Sequence, residues 1–166
     1  VWTVDAAATV TTSRLAEPIG RWDRAAPASE PAQLAGLVQN CVADQLVADV
    51  PVGILLSGGV DSSLVAAAAA RAVGKVRTFS VVHSDPRYDE RKAARAVADH
   101  IGSDHTEIEL RAGGLTDAEL DALVDHHGDP FADSSSLPTR RLAREVRRHV
   151  TVALSGDGGD ELFAGY

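Results

Sequence analysis

The sequence predicts an α/β fold, a parallel sheet with helices on both faces. Three observations predict it. From Ser29 onward, short apolar runs alternate with longer stretches of helical periodicity or alanine-rich composition. Strands alternating with helices pair in parallel, because each connection is a crossover that lays its helix against the sheet. Two of the apolar runs, ending at Leu56 and at Leu154, also stop abruptly in Ser-Gly, with acidic residues placed where a helix would start.

Element by element, Val1 to about Pro27 alternates only weakly, with Thr9-Val10-Thr11-Thr12 and the isolated Trp2 and Trp22. Two or three short strands or an extended linker fit it. Ser29 can cap a helix that has Pro31 in its first turn and runs to about Ala48. Its apolar stripe of Leu34, Leu37, Val38, Cys41, Val42 and Leu46 predicts Cys41 as a core residue. A buried strand follows at Val52–Leu56, then a helix from Asp61 to Val73 with Gly74 just past its end. Val76–Val82 is the second strand. Tyr88 and Asp89 lead into a helix over Glu90–Ile101, with Ala94, Val97, Ala98 and Ile101 on one face and Gly102 ending it. Thr106–Leu110 is the third strand. Thr116-Asp117-Ala118-Glu119 is a capping box that opens a helix to about Asp125. Ser136, with Pro138 behind it, starts a further helix to about Arg148, and His149–Leu154 is the fourth strand. Leu162–Tyr166 reads as a helix just beginning, so the fold is expected to be incomplete at the C-terminus.

Composition sets limits on the class. At 166 residues and 45% hydrophobic the chain fits one domain with an adequate core. A net charge of -8 argues against nucleic-acid or anionic-membrane partners. No apolar stretch approaches the ~20 residues of a membrane span, and no secretory segment is expected ahead of the fold. The single cysteine excludes an internal disulfide and suits a reducing cytoplasm, the expected location.

Chemistry concentrates in Val50–Ser63. An apolar strand leads into Ser57-Gly58-Gly59, then Asp61, Ser62 and Ser63 open the next helix. Glycines remove the Cβ that would block close approach of a ligand. Free amides and the helix dipole favour negative charge there, and three serine hydroxyls add donors. An ordinary strand–turn–helix joint is the plain alternative, but two glycines, three serines and an aspartate exceed what a turn needs. The segment reads as a pyrophosphate cradle. It is not the Walker-A type, which needs a lysine in the turn; the only lysines are Lys75 and Lys92.

Ser155-Gly156-Asp157-Gly158-Gly159-Asp160-Glu161 repeats the design after the last strand. Three carboxylates among glycines repel one another unless a cation joins them, and beside phosphates the economical cation is Mg²⁺. An exposed acidic turn is the plainer alternative. In a parallel sheet both loops leave the carboxyl ends of strands, where such folds bind ligands, although Ser57 and Ser155 are 98 residues apart. The first loop would then hold the pyrophosphate, and Asp61 and Asp160 would share the metal. Other polar groups read plainly. Adjacent His126 and His127 point to different sides of any regular element, and His83, His100 and His105 lack partners at metal spacing. Arg140, Arg141, Arg144, Arg147 and Arg148 make one helix face basic, read as a solvated or docking face.

The SGGxDSS string resembles the PP-loop of ATP pyrophosphatases, enzymes that cut ATP between the α- and β-phosphates. Adding Tyr88-Asp89-Glu90, Asp129-Pro130-Phe131-Ala132-Asp133-Ser134-Ser135 and LSGDGGDELFAGY, residues from about 30 to 166 resemble the synthetase domain of the glutamine-dependent asparagine synthetase family. The resemblance implies an adenine nucleotide alpha hydrolase-like fold truncated at both ends. Residues 28–166 would be the N-terminal part of the ATP-binding domain, and 1–27 a linker or short strands following an absent glutaminase domain. It implies ATP and Mg²⁺ as cofactors, with ATP contacts at Leu56, Ser57, Gly58, Gly59, Asp61, Ser62, Ser63, Val81, Ser155 and Gly156. Asp61 and Asp160 would bind the metal, and Asp157 and Glu161 would be the catalytic residues. Many family members carry glutamate where this chain has the shorter Asp157 and Asp129. The implied reaction is AMP-forming amide synthesis, carboxylate adenylation followed by amination. Aspartate and ammonia would be the partners, with a homodimer allowed. Beta-lactam synthetase-like or tRNA-thiolation enzymes, and a nucleotide-binding fragment without turnover, are the alternatives. The cysteine a glutaminase needs at its N-terminus is Val1 here, so no glutamine hydrolysis is expected on this chain, and the isolated chain is expected to be inactive.

Overall fold

The computed structural model describes residues 2–12, 30–82, 89–110, 113–128, 131, 133–163 and 165. Ser29, His83, Tyr88, Asp129, Pro130 and Ala132, all singled out above, lie outside the described residues. The chain divides into two compact units, Val1–Pro31 and Ala32–Tyr166. In the first, β1 (Trp2–Val4) pairs antiparallel with β2 (Val10–Thr12). Asp5 makes the turn. Its Oδ1 accepts from the amides of Ala7 and Thr9, both at 2.9 Å, the local side-chain bonding that suits aspartate to turns.

The second unit runs α1 (Pro31–Gln45), β3 (Val52–Leu55), α2 (Val60–Val73), β4 (Arg77–Val82), α3 (Arg91–Ile101), β5 (Asp104–Glu109), α4 (Asp117–His127), α5 (Ser136–Val146), β6 (Val152–Leu154) and α6 (Gly159–Phe163). Its four strands are all parallel, in the order β5-β4-β3-β6. The expected strands and helices are present, with shifted ends. β5 begins at Asp104, two residues early, because the Asp104 amide donates to Val76 O at 2.8 Å and carries the ladder down to Arg77. The capping box is formed in full between Thr116 and Glu119.

Strand side chains alternate between two cores. On one face Ile54 and Leu56 pack with Val42 of α1, Ala66 and Ala69 of α2, and Ala94 and Ala98 of α3. Alanines at these contacts let α2 and α3 lie close to each other and to the sheet. On the other face Phe79 and Ile108 pack with Val146 and Val150, backed by Leu142 of α5. Gly53 faces that core, and any Cβ there would sit 2.5 Å from the Phe79 ring. Helices therefore cover both faces.

The burial of α1 departs from the expected stripe. Only Val38, Val42 and Leu46 pack against the core. Leu34 is 37% and Leu37 59% exposed, and Cys41 is exposed, not a core residue. The sequence stripe is two rows wide, and the α2 surface accepts one row. Gln39 marks the seam, its Nε2 donating to Ala68 O at 2.7 Å.

Candidate active site

Strand order places the two Ser-Gly loops. The chain steps outward from β3 to β4 to β5, then returns across the other face to lay β6 on the opposite side of β3. The order reverses between β3 and β6, and ligands in open α/β sheets bind outside the carboxyl ends at such a point. Ser57-Gly58-Gly59 leaves β3 and Ser155-Gly156 leaves β6.

The first loop is held by its own hydroxyls. Ser62 is 7% exposed. Its Oγ donates to Gly59 O (3.3 Å), lies 2.9 Å from Ser57 Oγ, and accepts from the Ser57 amide (3.3 Å). The Gly59 amide donates to Ser57 Oγ at 3.2 Å. Ser57 and Ser62 thus shape the turn, while Ser63 Oγ has no hydrogen-bond partner among the described residues. Gly58 has φ +87°, and a Cβ there would meet the backbone of Ala93 and Ala94 at 2.6–2.7 Å, so the first turn of α3 walls the loop. The first intrahelical bond of α2 runs from the Ser63 amide to Gly59 O. No side chain caps this helix, so the amides of Val60, Asp61 and Ser62 are left for an outside acceptor.

The second loop closes onto the first. A Cβ on Gly156 would lie 2.8 Å from the Ser62 amide nitrogen and 3.0 Å from Asp61 Cβ. A Cβ on Gly159 would lie 2.5 Å from the Asp61 carboxyl carbon. Asp61 therefore presents its carboxylate to the start of α6, where Asp160 and Glu161 occupy the first turn. Asp157 is tied locally, its Oδ2 accepting from Ser155 Oγ at 2.9 Å. The Asp160 carboxylate packs against Gly165. Among the described residues no three His, Cys, Asp or Glu side chains cluster as a metal centre. The donor set suits Mg²⁺ bound together with a polyphosphate, since that ion takes only one or two carboxylates in such sites. Among the described residues no hydrogen bond or ion pair engages the Asp61 carboxylate oxygens.

Two expected contacts differ in character from the loop residues. Leu56 is 1% exposed and its amide already donates to Phe79 O at 2.7 Å, leaving its carbonyl as the group it can offer. Val81 is half-buried near the carboxyl end of β4, opposite Ile108. The basic face of α5 is partly consumed. The guanidinium of Arg141 grips both carboxylate oxygens of Glu119 (2.7 and 2.9 Å) and the carbonyls of Gly113 and Gly114. That grip, followed by the Thr116 amide, holds Glu119 down at about 2 from the ordinary 4.5. Arg147 bonds Thr151 O, and Arg148 pairs with Glu145. Sequence reasoning missed the α3 wall of the Gly58 turn and the Arg141 grip, since neither is written in local spacing. A cavity of about 370 Å³ between α4 and α5, lined by Leu115, Leu123, Val124, His127, Phe131 and Leu137, includes none of the Ser-Gly loop residues.

Residues 33–166 match the asparagine synthase family model. The chain belongs to the asparagine synthase family. It is 40% identical over 118 residues to glutamine-hydrolyzing asparagine synthetase 1 of Bacillus subtilis, covering 71% of this chain and 18% of that protein. It is 34% identical over 152 residues to glutamine-hydrolyzing asparagine synthetase 2 of Lotus japonicus, covering 82% of this chain and 25% of the relative. The chain thus spans a quarter or less of these relatives. Its fold matches that of the NH3-dependent NAD synthetase of Campylobacter jejuni, solved with a nitrate ion, at TM-score 0.52 and 18% identity over 81% of this chain and 60% of that one. The architecture is that of the PP-loop ATP pyrophosphatases. No helix among the described residues is long and apolar enough to cross a membrane.

Proposed function

We propose that this asparagine synthase-family chain supplies the Mg·ATP site of an AMP-forming amide synthetase, with residues 28–166 as part of the ATP-binding domain and 1–27 as the segment leading into it. The observation that carries the reading is the approach of Gly156 and Gly159 to Asp61 and Ser62, which sets uncapped amides, hydroxyls and carboxylates around one crevice. In this reading the amides of Val60, Asp61 and Ser62 and the hydroxyl of Ser63 bind the β- and γ-phosphates. Ser57 and Ser62 keep the turn open for them. Leu56, Val81, Ser155 and Gly156 flank the adenosine through backbone and apolar contacts. Asp61 and Asp160 hold Mg²⁺, which when bound neutralises charge on the departing pyrophosphate.

The carboxylate substrate, aspartate in the simplest case, attacks the α-phosphorus to give an acyl-adenylate, and ammonia then displaces AMP. Asp157 of the second loop and Glu161 in the first turn of α6 are the candidate acceptors for the proton the amine must lose. Positioning and charge neutralisation account for most of such catalysis. Neither Ser-Gly loop contains a lysine or arginine, so the isolated chain binds nucleotide with negligible turnover. The site chemistry needs no membrane or nucleic acid, in keeping with a cytoplasmic enzyme, and it is compatible with assembly as a homodimer.

Calorimetry on Asp61→Asn tests the assignment. Loss of a metal ligand weakens Mg·ATP binding far more than AMP binding, because the adenosine contacts are intact. Equal losses for both nucleotides would remove Asp61 from the metal site.

A further inference from the structure

A partly buried polar chain runs under α3, on the sheet face it shares with the first loop. Thr78 (0% exposed) and Ser80 (4%) of β4 point toward His105 of β5. Thr78 Oγ1 lies 2.8 Å from His105 Nδ1 and 2.8 Å from Ser103 Oγ, Ser80 Oγ lies 3.1 Å from His105 Nε2, and Ser103 Oγ donates to Ala98 O of α3. Three elements, β4, β5 and α3, meet in this chain of four side chains.

Its direction can be deduced. The Ala98 carbonyl can only accept, so the Ser103 hydrogen is spent there and Thr78 must donate to Ser103. Thr78 Oγ1 then accepts from His105, which puts the imidazole proton on Nδ1. Nε2 is left as an acceptor for the Ser80 hydroxyl. The opposite direction would leave the buried Ser80 hydrogen without an acceptor among the described residues, at the cost of an unmade hydrogen bond. Only the neutral Nδ1–H tautomer uses every hydroxyl hydrogen.

We propose that neutral His105 is a pH-sensitive latch, pinning edge strand β5 and the end of α3 to β4, and that protonation at Nε2 releases them. A proton on Nε2 displaces the hydrogen of the buried Ser80 hydroxyl, which then has no other acceptor among the described residues. The charged groups facing the ring are Arg95 and Asp99 from α3 and Glu107 from β5; those reaching it from β4 are uncharged. Burial, followed by Arg95, pushes the imidazole below its usual 6.5, against the opposing pull of Glu107 and Asp99. Arg95 is itself held on Glu107 at 2.7 Å. A histidine with a lowered folded-state value contributes stability above about 6.5 that is lost as pH falls through the folded value. The latch is independent of the nucleotide reading, although α3 also walls the Gly58 turn.

Nitrogen-15 NMR of the imidazole in the whole chain reads the tautomer, and amide exchange of Thr106 and Ile108 reads the strand. The expected result is a bare Nε2 at neutral pH, a midpoint below 6.5, and β5 protection that drops as the ring charges. Ser80→Ala removes the stranded hydroxyl and should raise the midpoint by roughly one pH unit, a tenfold gain in proton affinity. His105→Gln can donate to Thr78 and accept from Ser80 without titrating, so β5 should stay protected across the same range. An Nε2–H tautomer at neutral pH, or a midpoint that Ser80→Ala fails to raise, overturns the latch. So does an unchanged pH-dependent loss of β5 protection in His105→Gln. Should either variant fold poorly, the tautomer and midpoint of the unmodified chain still decide.

Discussion

Gly156→Ala is the perturbation that most directly tests whether the two loops form one site. The added Cβ would sit 2.8 Å from the Ser62 amide nitrogen and 3.1 Å from the Asp61 carbonyl carbon, where ordinary contact begins near 3.4 Å. These are backbone atoms at the start of α2, so no side chain can swing aside. The loops must part by about 0.6 Å, more than the ~0.5 Å to which binding groups must be held. Overpacking of this size costs roughly 1–3 kcal/mol, which for a domain of this length lowers Tm by about 2–4 °C per kcal/mol. Splaying a phosphate site by half an ångström should weaken Mg·ATP by about tenfold, close to 1.4 kcal/mol. Gly36→Ala is the control: inside α1 its Cβ meets nothing within 4 Å, so the helix should gain roughly 0.5–1 kcal/mol. Differential scanning and titration calorimetry on both variants check the pair. A Gly156→Ala chain with unchanged Tm and unchanged Mg·ATP affinity would refute the close approach of the loops.

Two further outcomes follow from the same geometry. Ser62→Ala removes a buried hydroxyl that ties Ser57 to Gly59 and should cost about 1–3 kcal/mol of stability, whereas Ser63→Ala should stay within ~0.5 kcal/mol while lowering ATP affinity; thermal melts showing the reverse order would mean the hydroxyl roles are exchanged. Glu119, held near 2 against an ordinary 4.5, contributes stability that is present above about 4.5 and lost as pH falls toward 2. Glu119→Gln should flatten the acid arm of the stability curve in that window, and parallel acid-unfolding curves would show that the Arg141 grip contributes nothing.

What the sequence disclosed, and what it concealed, follows from the range of each interaction. Ser57-Gly58-Gly59 and Ser155-Gly156 encode their turns locally, and parallel topology alone brings two strand ends to one edge. Their convergence was therefore legible from residues 98 apart. The direction of the Asp61 carboxylate was not, because it is set by Gly159 on a different strand's loop. α1 shows the same boundary from the other side. Its apolar period was plain, yet which row of that stripe is buried depends on the surface of α2, so Cys41 was misplaced by one row. His105 gave no signal, since its partners lie on Thr78, Ser80 and Ser103 and a lone histidine has no spacing to read.

The same reasoning explains why the first loop carries more serines than a ligand needs. A turn that must offer bare amides to phosphate cannot use a capping side chain over them, since the cap would occupy the ligand's place. Something else has to hold the turn. Ser62 does so from beneath, donating to Gly59 O while Ser57 accepts the Gly59 amide, and α3 supplies the outer wall at Gly58. The helix is stabilised without its N-terminus being filled. On the proposed reading, the uncapped α2 is a consequence of the site, and the two inward hydroxyls compensate for the missing cap.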